Sequence, residues 1–265
     1  MASVAIVNED KSFSIGTVLS RAFGVMGDNP AVVFGISFLF GALPQILYTY
    51  FAMTGLRAAG PGTELATGLL SFSSGIVAML AGALVQAAIV RATMAYSEGE
   101  RVSFGASLAT GVTKALPMMA LTILLILGMI VGFLLFIIPG IMLMVMWVVA
   151  QSALVGENAG VFGSFGRSRF LTKGARWKIF GLLLLLLVLF WILSIIASTL
   201  MAAFGFASMM TALSAGQLPT SYYVLSAVTG TLWSALWATV QTSLYVSLRE
   251  WKDGPGDEAL ADVFA

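Results

Sequence analysis

Cysteine and histidine are both absent from these 265 residues, and charge is scarce, with Asp, Glu, Lys and Arg together only 9% of the chain. Without cysteine there are no disulfides and no thiolate metal ligands. Without histidine the commonest metal ligand and the usual neutral-pH general base are gone as well. What remains is 59% hydrophobic, with a mean hydropathy of +0.99. A soluble domain of this size could not build a polar surface from so little, so lipid is the expected solvent for most of the chain.

The net charge of +1 hides an uneven distribution of its 13 basic residues. Lys11 and Arg21 precede the first apolar span. Arg91, Arg101 and Lys114 lie between the second and third, and Arg167, Arg169, Lys173, Arg176 and Lys178 between the fourth and fifth. Arg249 and Lys252 follow the sixth. Only Arg57 falls on the opposite side, leaving 12 of the 13 together. Positive charge near a span retains its loop in the cytoplasm, so both termini are expected there, in a bacterial inner membrane. Residues 1–12 lack the layout of a cleaved signal peptide, and the first span is expected to be retained.

The expected crossings are 30–53, 67–91, 116–138, 140–156, 178–204 and 222–247. Each is near the roughly 20 residues that a bilayer core demands. Spans three and four form one apolar run of about 40 residues, too long at about 1.5 Å per residue for a single crossing. The expected break is Ile138-Pro139-Gly140, since Pro lacks the N–H to continue a helix. A full hairpin with a short fourth span and a re-entrant hairpin both fit.

Three segments resemble one another: Phe13 to Leu19, Val102 to Leu108 and Gly160 to Gly166. Each stands before a pair of spans. The first carries apolar residues at 15, 18, 19, 22, 23 and 26, the stripe of an amphipathic helix able to lie in a membrane interface. A second phrase recurs in the returning spans: Gln86-Ala87-Ala88-Ile89, Gln151-Ser152-Ala153-Leu154 and Gln241-Thr242-Ser243-Leu244, with Trp147 and Trp237 each four residues before their Gln. The expected fold is therefore all-α. It comprises six transmembrane helices in three hairpins, each preceded by a cytoplasmic interfacial amphipathic helix, in repeats near 13–96, 102–156 and 160–250 with a tail at 251–265.

The stretch Ile138-Pro139-Gly140-Ile141 through Trp147, then Glu157, Arg167-Ser168-Arg169-Phe170-Leu171-Thr172-Lys173-Gly174, Trp177 and Phe180-Gly181 resembles a known pattern. It is similar to the membrane domain attached to some glycerophosphoryl diester phosphodiesterases and to YciC-like bacterial inner-membrane proteins. The opening Phe13 to Phe23 and the close at Val263-Phe264 fit too. The resemblance implies a polytopic inner-membrane fold and brings no catalytic residue. No soluble phosphodiesterase domain like that of some relatives is expected among these residues, so their activity does not follow.

No ionisable residue occupies the centre of an expected span, which weighs against proton or ion coupling. Gln86, Gln151 and Gln241 are the best polar core candidates. They serve either as interhelical hydrogen-bonding groups beside small residues or as the lining of a polar pocket or lipid path. Glu157 precedes Arg167, Arg169, Lys173 and Arg176, and the group reads as a structural clamp or as a contact for anionic headgroups. Asp28 is expected to favour the start of the first span, at whose N-terminus a carboxylate meets unpaired N–H groups. The acidic tail from Gly254 could form a short helix on Ala259, Leu260 and Val263. The Gly-rich phrases lack Walker spacing, so no nucleotide site is expected.

No catalytic residues, metal or cofactor are assigned. The expected partners are membrane lipids, anionic ones among them, and not nucleic acid; a protein partner or self-association stays open. The leading functional expectation is a non-enzymatic protein that binds or organises lipids through interfacial helices. The alternative is a transporter or channel-like conduit through the Gln-lined junction. A membrane enzyme is the third reading, and its available acids, bases and nucleophiles are not grouped.

Overall fold

The computed structural model describes residues 13–59, 64–214 and 218–254. Expectations placed on Lys11 and on the tail at Asp257, Glu258 and Asp262 lie outside the described residues, as does the side chain of Arg57. The described chain is helical between its turns, with no strand. In order it comprises α1 (Ile15–Asp28), α2 (Pro30–Ile36), a π-helical segment (Ser37–Ala42), α3 (Leu43–Ala59), α4 (Glu64–Ser97) and α5 (Phe104–Leu135). There follow α6 (Ile137–Trp147), α7 (Ala150–Glu157), α8 (Gly160–Thr172), α9 (Arg176–Ser214) and α10 (Thr220–Asp253).

Among the described residues, 6 stretches are long and apolar enough to cross a membrane: Pro30–Gly55, Glu64–Ser97, Phe104–Leu135, Ile137–Glu157, Arg176–Ala203 and Thr220–Asp253. Their surfaces invert the polarity of a soluble protein. Leu65, Phe72, Leu134 and Ile138 are each more than two-thirds exposed, while Ser37, Gln86, Thr93, Ser152, Thr239, Gln241, Thr242 and Ser243 are buried. Apolar side chains have no reason to leave a surface bathed in hydrocarbon. Helix association there relies on close packing and on hydrogen bonds between polar groups turned inward.

The core is concentrated at the end of the bundle that carries the basic residues. In α4 burial begins at Ala83 and is continuous from Val85 to Val90; in α10 it begins at Thr231 and is continuous from Ala238 to Tyr245. These runs pack with α1 and α7 and with the inner turns of α9, where Ile179, Leu182 and Leu186 are buried. Many of the contact residues are Ala, Ser and Thr, whose small size brings backbones together.

Turns form where the local chemistry releases the helix. Asn29 leaves helical geometry at φ −129°, and Pro30 restarts the chain at the first position of α2, where its missing N–H has no cost. Between α8 and α9, Gly174 takes φ +93°, which only glycine adopts without strain, and packs against Trp251 of α10.

The structure revises two expectations. The segment Val102 to Leu108 does not belong to a separate helix: from Phe104 it is the first part of one helix that runs to Leu135, through Pro117. No Asn-Pro step and no left-handed glycine stands at that junction, so the chain lacks the release present after α1 and α8. The break between spans three and four falls at Phe136, in extended geometry, and Pro139-Gly140 lies inside the first turn of α6. A proline there forfeits no helical hydrogen bond. Gly140 is needed for contact rather than for turning: a Cβ on it would sit 2.5 Å from the Phe133 ring, and one on Gly132 would sit 3.1 Å from Gly140 Cα. The fourth span thus covers 21 residues, Ile137–Glu157, about 31 Å at 1.5 Å per residue and sufficient for a bilayer core.

Candidate functional site

The fourth span is broken. Helix α6 ends at Trp147, Val149 lies at φ −103° and ψ 11°, and α7 begins at Ala150. A helix that stops within a membrane leaves carbonyls without intrahelical partners, and hydrocarbon offers no water to replace them. Two other helices supply the replacements. Ser168 Oγ of α8 donates to the Met146 carbonyl at 2.8 Å, with Thr172 Oγ1 also near it at 3.4 Å. From α10 the Gln241 Nε2 amide donates to the carbonyl of Val148. The break is therefore stitched from both sides by buried side chains.

Gln241 is one of the three repeated glutamines, and the others have different surroundings. Gln151 is half-buried and donates through Nε2 to Thr122 Oγ1 of α5 at 3.0 Å. Gln86 is 5% exposed, and its Nε2 has no protein partner. The three amides do not bond one another. Around them, buried Thr93 Oγ1, Ser152 Oγ, Ser243 Oγ and Gln241 Oε1 also lack protein partners. These atoms belong to α4, α7 and α10, so the junction of those helices retains hydrogen-bonding capacity that the protein leaves unspent.

Below the break, Arg167 of α8 joins the last turns of α7 and α10. Its Nε donates to Glu157 Oε1 and Oε2 at 2.9 and 2.7 Å. Its Nη1 reaches Asp253 Oδ1 at 3.3 Å, and its Nη2 donates to Asp253 Oδ2. Tyr245 Oη donates to Glu157 Oε1 at 2.9 Å, closing the group from α10. The Arg167 guanidinium also lies 5.4 Å from the Phe170 ring centroid. Burial opposes its charge, but hydrogen bonds to Asp253 and Glu157 outweigh that effect and raise its pKa above the ordinary arginine value. This geometry fastens the ends of two helices to α8 with one cation.

Of the basic residues grouped with Glu157 in the sequence, only Arg167 reaches it. Arg169 and Lys173 are exposed, and among the described residues neither has an ion pair or a side-chain hydrogen bond. Arg176 is half-buried, and its Nε is buried without a partner. Lys178 instead donates to the Phe13 carbonyl at 2.8 Å. Asp28 does not cap the first span. It ends α1 and accepts from Tyr96 Oη of α4 at 2.7 Å, while Asn29 occupies the cap position. Arg21 holds α1 to α10 through Glu250 at 2.8 Å and Ser247 at 3.0 Å.

The sequence assigns no role to Tyr245 or Asp253, and names Ser168 and Thr172 only within the resembling stretch. Ser164, Ser168 and Thr172 do repeat at a spacing of four, the signal of one helix face. Their partner, a broken span, could not be seen before the break was known.

The fold, with its outward apolar belt and inward polar groups, defines a multi-pass α-helical membrane protein. Searches of family models, curated proteins and solved structures each found no match to this chain.

Proposed function

We propose that this is a non-enzymatic membrane protein that binds and organises anionic lipids at its cytoplasmic face, in a bacterial inner membrane with both termini inside. The observation that carries this reading is the polarity of α8. Its buried face consists of Ser164, Ser168, Leu171 and Thr172, whereas Phe162, Arg169 and Phe170 face outward, Phe162 being 80% exposed. Lys173 and Trp177 continue the outward surface, with Trp177 85% exposed. A helix bathed by water would hide the phenylalanines and expose the hydroxyls. A helix at the edge of a bilayer places aromatic rings among acyl chains and cations at the headgroups.

The family resemblance carried by Ile138 to Gly181 belongs to the same reading, through the inner-membrane setting that it implies. The interfacial role is assigned to α8; the expected stripe of α1 instead turns Val18, Ala22 and Met26 into the protein core, leaving only Phe23 of it exposed. Conduction through the junction of Gln86, Gln151 and Gln241 is the second reading. It is favoured by the unpartnered polar atoms there and by the broken fourth span beside them, since discontinuous helices are a common place for transporter sites.

Native mass spectrometry from nanodiscs tests the lipid reading. Arg169→Ala combined with Lys173→Ala removes two cations that support no other described side chain. At about 1 kcal/mol each near an anionic surface, their loss is expected to weaken phosphatidylglycerol retention roughly thirtyfold. Unchanged retention would overturn the reading. Orientation is tested by cysteine labelling in the naturally thiol-free chain, with probes at exposed Ala109 and Lys173. Reaction with an impermeant reagent from the periplasm would reverse it.

A further inference from the structure

The opposite half of the bundle holds a cavity of about 330 Å³ between α3, α4 and α10. Its polar lining comes from Gln45, Thr49, Ser226, Ser234, Tyr222 and Tyr223, and none of its lining residues is charged. It runs from the two tyrosines near the start of α10 to Ser234, 12 residues further along the helix, a depth of about 18 Å. Its floor meets the π-helical segment at Gly41 and Ala42. Such segments often accompany functional sites, because the widened turn displaces the following residues.

The hydrogen-bond accounting shows what the cavity would accept. Thr49 Oγ1 donates to the Gln45 carbonyl at 2.8 Å, Ser226 Oγ to that of Tyr223 at 3.0 Å and Ser234 Oγ to that of Thr231 at 3.2 Å. Each hydroxyl proton is spent on its own helix, and each oxygen keeps a lone pair for another donor. Gln45 Nε2 donates to Ser74 Oγ at 3.0 Å, while Gln45 Oε1 is buried without a partner. Apart from the Tyr222 and Tyr223 hydroxyls at one end, the polar lining is therefore rich in acceptors. A ligand that fits it brings hydroxyl donors. An ammonium would enter without a carboxylate to offset its desolvation, and a phosphate would find no cation.

The route in points to the membrane. Ala78, Gly82 and Gly230 line the cavity and are exposed on α4 and α10, at depths where the surroundings of a span are hydrocarbon. At the far end Tyr50, Tyr222 and Tyr223 stack edge to face, with centroids 6.1 Å apart for Tyr50 and Tyr223 and 5.7 Å for Tyr222 and Tyr223. Two of the three, Tyr222 and Tyr223, line that end of the cavity. We infer that this cavity is a binding site for an uncharged, hydroxyl-bearing glycerolipid, which enters sideways from the bilayer and places its glycerol hydroxyl against Gln45 Oε1 while its acyl chains remain in lipid. This site is separate from the proposed cytoplasmic lipid surface, and neither depends on the other.

The test is native mass spectrometry of the full chain from nanodiscs of phosphatidylglycerol and phosphatidylethanolamine doped with dioctanoylglycerol. Wild type is expected to retain one dioctanoylglycerol per chain. A Cβ on Gly82 meets nothing within 4 Å, so Gly82→Leu places its side chain at the cavity without a clash. That substitution is expected to cut dioctanoylglycerol retention about tenfold. Gly75→Leu, equally unobstructed on the same helix and outside the cavity lining, is expected to leave it unchanged. Gln45→Met, close in volume and without the amide, should reduce it about threefold to tenfold; if this variant does not fold, Ser226→Ala is read in its place with the same direction expected. Retention equal in Gly82→Leu and Gly75→Leu overturns the proposal. So does a cavity substitution that displaces phosphatidylethanolamine or phosphatidylglycerol while dioctanoylglycerol stays. Failure of the cytoplasmic reading would appear instead as phosphatidylglycerol retention insensitive to Arg169 and Lys173.

Discussion

The two ends of α4 and α10 obey different rules. From Glu64 to Gly82 no residue of α4 is buried, and from Thr220 to Gly230 none of α10 is, yet the remainder of each helix contributes long uninterrupted buried runs. The inner half is held by side chains that span helices, with Arg167, Gln241, Ser168 and Arg21 each closing a contact more than twenty residues away in sequence or joining helix ends. In the outer half the cross-helix bonds are fewer, chiefly Gln45 to Ser74 and Tyr48 to Leu70 and Ser73. The difference shows that one end is built as a protein core. The other is a set of separate apolar surfaces around an uncharged slot.

Removing Arg167 should disturb this contrast most. Arg167→Ala leaves Glu157 half-buried without its cation and frees the end of α10 from α8, and the expected loss is roughly 2 kcal/mol after solvent screening. Glu157→Ala should approach that value, while Glu64→Ala, at the exposed outer end, should stay within about 0.5 kcal/mol. Equal thermal shifts for the two glutamate variants in detergent would show that the Arg167 group does not hold the inner end.

Next in size is the contact between α5 and α6. Gly140→Ala pushes a methyl into the Phe133 ring, which must swing aside and lose its contact with α6, and should cost about 1–3 kcal/mol. A melting temperature indistinguishable from wild type would mean that Gly132 and Gly140 do not set the approach of the two helices.

Gln241→Leu sharpens the comparison within the inner half. It strips the Val148 carbonyl of its donor and should cost about 1–3 kcal/mol. Gln86→Leu removes an amide whose Nε2 already lacks a protein partner, so its cost should be smaller. The reverse ranking in chemical denaturation would remove the stitched break as the reason for Gln241. Smallest of all should be Phe72→Ala. This exposed outer residue has lipid rather than protein beside it, and a shift beyond about 0.5 kcal/mol in detergent would show that the outer half is packed more tightly than its burial indicates.

Much of the architecture was legible because lipid is an undemanding reader of sequence: about 20 apolar residues between charged flanks mean a span, whatever their order. The crossing that starts at Pro30, the one that starts at Thr220 within two residues of the expected 222, and the clustering of cations at one end follow from that rule. Helix continuity was less legible. The proline signal at Pro139 displaced the expected break from Phe136, and the same residue type at Pro117 produced no break at all, since a proline ends a helix only where neighbouring contacts do not hold it.

Glu157 beside a basic run was enough to expect a guanidinium partner, for opposite charges near one another at low dielectric must pair. Which guanidinium it would be was not in the composition. Arg167, Arg169, Lys173 and Arg176 are equivalent as charges. The winding of α8 turns Arg167 toward α7 and α10 and sends Arg169 outward. The repeated glutamines likewise had an inward address in their small neighbours, but the partner of Gln241 was set by a discontinuity in another span. Composition and charge placement, which act through solvation, were determined by the sequence alone. The Asp253 and Tyr245 contacts, the stitched carbonyls of Met146 and Val148 and the slot beside Gln45 were decided by tertiary structure, because each requires groups distant in the chain to meet at hydrogen-bond range.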